Sequence, residues 1–346
     1  MLKTMISSRF APFFLAWALL GGMPAALANE GAQGPRFALP IDCVPGASCF
    51  VQNYVDHDPS PAWRDYACGA RTYDGHDGTD FRVPSMAAVR AGVAVLAAAD
   101  GVVAGVRDGM ADVSFRETGK EAVKDRECGN GLLLRHADGW ETQYCHLAQG
   151  SVAVRRGQAV RSGERLGLVG LSGLTEFPHL HLTIRHKGKA VDPFAPAPVA
   201  GACGSEQTLW DAATAQALAY RRRVLLNHGF SDRALTMAEV ENLPPDAARP
   251  NGQSSALVAW VRMIGLEPGD AARLTLRAPD GTVIAERLQP ALERAQAQSL
   301  SLIGRKRPAP GWPAGSYRAE YQITNAGQPV FSQAFSLNIA AEAPVN

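Results

Sequence analysis

Several things are missing from this chain, and each absence narrows the reading. Lys and Arg number 34 against 33 Asp and Glu, a formal net charge of +1, with no basic stripe and no acidic tail. That balance gives no footing for nucleic acid and no solvating charged segment. Past the first thirty residues, no apolar run approaches the roughly 20 residues that a membrane helix requires. There is no Cys-x-x-Cys pair among the six cysteines, which argues against a cysteine zinc site. What the chain does have is length and apolar content: 346 residues, 46% of them hydrophobic, suit two domains better than one.

The N-terminus is the first informative stretch. Lys3 and Arg9 flank its start, an apolar run from Ala11 to Leu20 follows, and Ala26-Leu27-Ala28 supplies small residues for cleavage. That order reads as a signal peptide over residues 1–28. No cysteine follows closely enough for a lipid anchor, and no wall-anchoring repeat or sorting tail is visible. The expected location is therefore the periplasm, with secretion as the second choice. In an exported chain Cys43, Cys49, Cys68, Cys128, Cys145 and Cys203 read as disulfides. Cys43 and Cys49, six apart across Pro45 and Gly46, are the expected pair; the other four remain open.

From residue 29 to 65 the chain is rich in Pro, Gly and Asp with little periodicity, which predicts an irregular lead-in that wraps the next domain. Residues 66–200 alternate short apolar runs with glycine-containing turns: Ala94 to Ala98, Gly101 to Val106, Gly131 to Arg135, Thr142 to Leu147, Arg165 to Gly170 and Leu180 to Ile184. Such spacing predicts a β-rich domain. The charged segment Arg107 to Cys128 reads as a long surface loop. Leu209 to Leu226 carries apolar positions at helical spacing, with Gly229 as a stop, and predicts a helical connector over 205–230. Strand patterns return over 231–346, with Asp280-Gly281 and Asn325-Ala326-Gly327 as hairpin turns. Tyr317, Ala319, Tyr321 and Ile323 should form one buried face. The expectation is an immunoglobulin-like β-sandwich with no catalytic cluster of its own.

Chemistry is concentrated in the 66–200 segment. Gly75-His76-Asp77-Gly78-Thr79-Asp80-Phe81 sets an imidazole and a carboxylate four residues apart, and Gly78 disfavours a helix, so a tight loop must bring them together. A hundred residues later Pro178-His179-Leu180-His181-Leu182 reads as a strand. Alternation there puts His179 and His181 on one face and Leu180 and Leu182 in the core. Zinc suits such donors, and a catalytic site uses three protein ligands with a fourth position for water. His76, Asp80 and one histidine of the pair make that count. The remaining histidine and His146, in Tyr144-Cys145-His146-Leu147, are then placed for second-sphere work, one taking a proton from water and the other bonding a tetrahedral oxyanion.

These segments together resemble the LytM or lysostaphin-like zinc endopeptidases. The family pattern of G-x-H-x-G-x-D, a mid-domain H-L and a P-H-L-H strand is present in order. Gly157-Gln158-Ala159-Val160, the run Gly163 to Gly170 and Asp192-Pro193 also look like that family. The resemblance covers about Tyr66 to Phe194. It implies that His76, Asp80 and His181 bind Zn2+ and that His146 and His179 are the catalytic histidines. It also implies a mainly β fold, an antiparallel sheet forming a groove, and peptidoglycan peptides as substrate. The helical H-E-x-x-H motif of other zinc proteases is absent. The Arg107 to Cys128 segment is the main departure from the pattern, and leaves the cleaved bond open.

Two other classes of function fit parts of the sequence. An inactive relative of this fold could activate a separate cell-wall amidase, but it would be expected to have lost a ligand, and none is missing. A binding protein could act through its C-terminal sandwich, which is in either case a candidate docking surface for an envelope partner. His57, His136, His186 and His228 read as structural or solvated, and Asp74 and Asp77 as solvated loop residues. Cys145, beside His146, reads as disulfide-bonded rather than nucleophilic.

Overall fold

The computed structural model describes residues 34–341 apart from 199–200, 243, 245–247 and 310. The expected signal peptide lies outside the described residues. No helix among those described is long and apolar enough to cross a membrane.

The chain is mainly β, and its sheets are antiparallel. The larger sheet runs, in spatial order, Phe50–Asn53, Thr79–Arg82, His179–His186, Trp140–Leu147, Asn130–Arg135, Gly101–Arg107 and Ala159–Val160, with Lys189–Ala190 paired beside His179–His186. Its two faces are chemically distinct because side chains alternate along each strand. Phe81, Leu134, Tyr144, Leu180, Leu182 and Ile184 form the inner face, each at most 1% exposed. The lead-in and the connector cover that inner face together. Phe37 bridges Trp210, and the Trp210 ring meets Phe81 edge-on at 6.1 Å. The opposite face carries Asp80, Arg82, His179 and His181.

A second pair of sheets follows. Val224–Ser231, Ala256–Leu266 and Gln296–Lys306 form one; Val283–Gln289, Asp270–Arg277, Gly315–Asn325 and Gln328–Ile339 form the other. Leu257, Ala259, Val261 and Met263 from the first share a core with Leu274, Leu276 and Tyr321 from the second. The four residues Tyr317, Ala319, Tyr321 and Ile323 are fully buried, as alternation requires. The expected hairpin turns also fall between paired strands, Asp270–Arg277 with Val283–Gln289 and Gly315–Asn325 with Gln328–Ile339.

Two expectations need correction. The stretch 209–226 is not one helix: the helix spans only Ala212–Ala217, capped by Asp211, which accepts from Thr214 N–H at 2.7 Å. Val224–Ser231 is instead a strand, paired along Ala256–Leu266. Gly229, read as a helix stop, sits mid-strand opposite Trp260, where a Cβ would lie 2.7 Å from the indole. Partner strands decided this segment over local propensity. The lead-in, read as irregular, contributes the edge strand Phe50–Asn53 to the main sheet.

Cys43–Cys49 is a disulfide as expected, and Cys68–Cys203 and Cys128–Cys145 complete the set. The charged segment after Arg107 holds two short turns, Phe115–Thr118 and Lys120–Val123, and most of its residues are exposed or half-buried.

Candidate metal and catalytic centre

Two neighbouring strands build the centre. Thr79–Arg82 pairs with His179–His186 so that Asp80 lies opposite His181 and Arg82 opposite His179. His76 enters from the loop before the first of these strands. Its Nδ1 donates to Tyr54 O at 2.7 Å, which turns Nε2 toward Asp80 Oδ1 at 3.2 Å and His181 Nδ1 at 3.2 Å. His181 Nδ1 lies 2.9 Å from the same carboxylate oxygen. Gly78 permits this approach: a Cβ there would stand 2.6 Å from His181 Nε2. Gly78→Ala is therefore expected to displace the imidazole and weaken metal retention roughly 10- to 100-fold, the scale for disturbed ligand orientation, measurable by chelator competition.

His146 reaches the same space by a different route. Strict alternation along Trp140–Leu147 would send it to the core face with Tyr144. Between the Asn130–Leu147 and Leu132–Tyr144 pairs, however, Cys145 and His146 stand opposite Gly131 alone, a bulge. His146 adopts φ +65°, which re-aims its ring. Gly131 is required at this point, since a Cβ would lie 2.3 Å from Tyr144 O. His146 Nδ1 donates to Ser172 O at 2.7 Å, and its ring stands 4.7 Å from that of His179. His179 Nδ1 faces Phe177 O at 2.9 Å, leaving Nε2 3.3 Å from Asp80 Oδ1.

The five side chains singled out by sequence are thus gathered in one cluster, and His76, Asp80, His146 and His179 are each under 9% exposed. Each imidazole has one nitrogen tied outside the cluster and the other turned inward, so its tautomer is set by its surroundings. For His181 the outer partner is Thr183 Oγ1 at 3.0 Å. His76 Nε2, His181 Nδ1 and Asp80 Oδ1 form a group that could hold a metal ion. With the outer nitrogens of both histidines acting as donors, the inward atoms are two lone pairs and a carboxylate oxygen. Three acceptors about 3 Å apart repel one another unless a proton or a cation lies between them, and this donor set fits zinc.

Electrostatics follow from the same contacts. Burial works against ionised Asp80, yet His76 and His179 hold its carboxyl well below the usual range. Burial would lower His181, but Asp77 and Asp80 prevail and push it up to about 9. A proton on His181 thus competes with a cation for the same lone pair. Burial and the neighbouring His179 and His181 push His146 well below its usual value, so its inward nitrogen is a free base at neutral pH.

The sequence did not reveal the outer partners. Asn53 Nδ2 donates to Asp80 Oδ2 at 2.8 Å, fixing the carboxylate, and comes from the lead-in. Asp77, read as a solvated loop residue, instead bonds Arg185 at 2.9 Å and lies 3.4 Å from His181 Nε2; its carboxyl is held at about 2, first by His181. Its position three residues before Asp80 was the available signal. His136 bonds Asp100 O and Thr142 Oγ1 at the sheet end, away from this centre.

Comparison with known proteins is consistent with this geometry. Residues 74–193 match the model of peptidase family M23. The chain is 36% identical over 124 residues to "Cell division protein DipM" of Caulobacter vibrioides, covering 34% of this chain and 17% of that protein. It is 35% identical over 124 residues to "DD-carboxypeptidase/endopeptidase Mpg" of Neisseria meningitidis serogroup B, covering 35% and 23% respectively. The chain thus spans about a fifth of the length of these relatives. A solved zinc-containing peptidase from Vibrio cholerae is 26% identical, covering 42% of this chain and 39% of that one, with a TM-score of 0.27.

Proposed function

We propose that this protein, whose residues 74–193 match the model of peptidase family M23, is an exported zinc endopeptidase that hydrolyses peptide bonds of peptidoglycan in the periplasm. His76, Asp80 and His181 would hold the zinc. The ion, once bound, supplies a water acidified to a pKa of roughly 7 and a Lewis acid for the scissile carbonyl. His146, neutral and fixed by Ser172 O, accepts the proton of the attacking water at Nε2. His179, anchored at Nδ1 by Phe177 O, turns Nε2 to the reacting centre beside Asp80 and, when protonated there, donates a hydrogen bond to the tetrahedral oxyanion.

The observation that carries this reading is the inward convergence of three lone-pair donors with two further imidazoles, each anchored from outside. The completeness of that set supports an enzyme over an inactive amidase activator. Incubation of the mature chain with purified sacculi should release soluble muropeptides, and a chelator should stop the release until zinc is restored. Mass analysis of the products identifies the bond cut. Sacculi left intact by zinc-loaded protein would defeat the proposal.

A further inference from the structure

Arg82 is an anomaly that the chemistry above does not use. It is fully buried, although burying a guanidinium is costly. Stability alone does not account for it, because apolar residues usually serve a buried site as well as an ion pair does. Its place in the fold is suggestive. Arg82 follows Asp80 by two residues, shares its face of the sheet and stands opposite His179. Its guanidinium lies 4.3 Å over the ring of Phe177, whose carbonyl accepts from His179 Nδ1.

The groups that hold Arg82 come largely from beyond the peptidase domain. Glu241 Oε2 accepts from Arg82 at 2.5 Å and from Arg262 at 2.5 Å, and Gln298 Oε1 also accepts from Arg82. Arg262 and Gln298 lie on adjacent strands of the sandwich, and Glu241 on the short helix Met237–Asn242. Within the main sheet only Gln52 joins them, at 3.0 Å. Arg262 also donates to Pro84 O, next to Val83, whose N–H donates to Pro178 O at 3.2 Å. Two lines of contact therefore run from the sandwich to residues 177 and 178, immediately ahead of His179.

We propose that Arg82 is a positioning residue through which the C-terminal sandwich holds Phe177 and thereby aims His179 at the reacting centre. The sandwich is then part of the catalytic apparatus, not an appended module. The role assigned to His179 rests on the functional reading above.

Arg82→Met is the informative variant because it leaves Glu241 and Arg262 as a balanced pair. In the full-length zinc-loaded protein, acting on a soluble cross-linked muropeptide, it should keep its zinc stoichiometry and lower kcat at least tenfold with KM within twofold. Arg82→Lys should recover part of the loss. Phe177→Leu should show the same kcat defect, and the double variant should be no slower than the slower single one. A kcat within twofold of the parent in Arg82→Met, or losses that multiply in the double variant, would overturn the proposal. Should Arg82→Met not fold, Arg82→Lys and Phe177→Leu decide by the same criteria. A readout independent of turnover is the 15N spectrum of His179: the parent should show a protonated Nδ1 held in one hydrogen bond, and Arg82→Met an Nδ1 signal broadened by exchange. If the parent hydrolyses nothing, the functional reading falls by itself, and this spectrum still decides on Arg82, unchanged signals counting against it.

Discussion

Replacing Asp80 or His181 by alanine is expected to cost the protein both its zinc and all measurable hydrolysis. Asp80 is the sole carboxylate of the donor group, and its Oδ1 is the atom on which His76, His179 and His181 all converge. Its loss leaves two imidazoles facing each other at 3.2 Å with no anion between them. Loss of His181 removes the donor on the second strand and leaves only His76 and Asp80, two donors from one loop-and-strand segment. Metal analysis after gel filtration checks the first half of the claim, and muropeptide release from sacculi the second. Asn53→Ala offers a graded companion. It leaves all three donors in place but frees the carboxylate to turn, and should weaken zinc retention by roughly 10- to 100-fold without abolishing it. Zinc held at full stoichiometry in Asp80→Ala would mean that the ion is bound elsewhere.

The legible part of this protein is the part governed by local periodicity. His179 and His181 could be placed on one face because a strand has a period of two, and His76 with Asp80 because Gly78 left only a tight loop between them. The same rule located the strands around Gly131, Thr142 and Tyr317. Pairing of Cys43 with Cys49 was legible because six residues leave little room for another geometry. The remainder depends on distant chain. Val224–Ser231 carries leucines that also suit a helix, and only the facing Ala256–Leu266 strand makes it β. Asn53 and Tyr54 lie in a stretch with no period, yet they anchor Asp80 and His76. The contacts of Arg82 with Glu241 and Gln298 span 159 and 216 residues, and no spacing rule connects such positions. His146 lies between these cases. The resemblance to a family assigned it a role, but its direction is set by a bulge that breaks the alternation on which sequence reading relies.

That bulge gives the second large effect. His146→Ala should leave zinc bound and remove turnover, by the hundred- to ten-thousandfold typical of a lost proton acceptor, about 10² to 10⁴. Its Nδ1 contact runs to Ser172 O and not to any of His76, Asp80 or His181, so the donor group keeps its own anchors when the ring is removed. Burial and the adjacent imidazoles keep His146 neutral, which is the state a base needs before it takes a proton. Alanine changes both the ring and the ease of holding φ +65°, so His146→Asn is the sharper variant. Asparagine tolerates that backbone region and lacks the inward imidazole nitrogen. If His146→Asn folds, retains zinc and loses kcat with KM little changed, the histidine acts on the reacting atoms. If it loses zinc while the Cys145–His146 bulge and the sheet stay intact, His146 belongs with the ligands, and the proton must be taken by His179, whose ring stands 4.7 Å away.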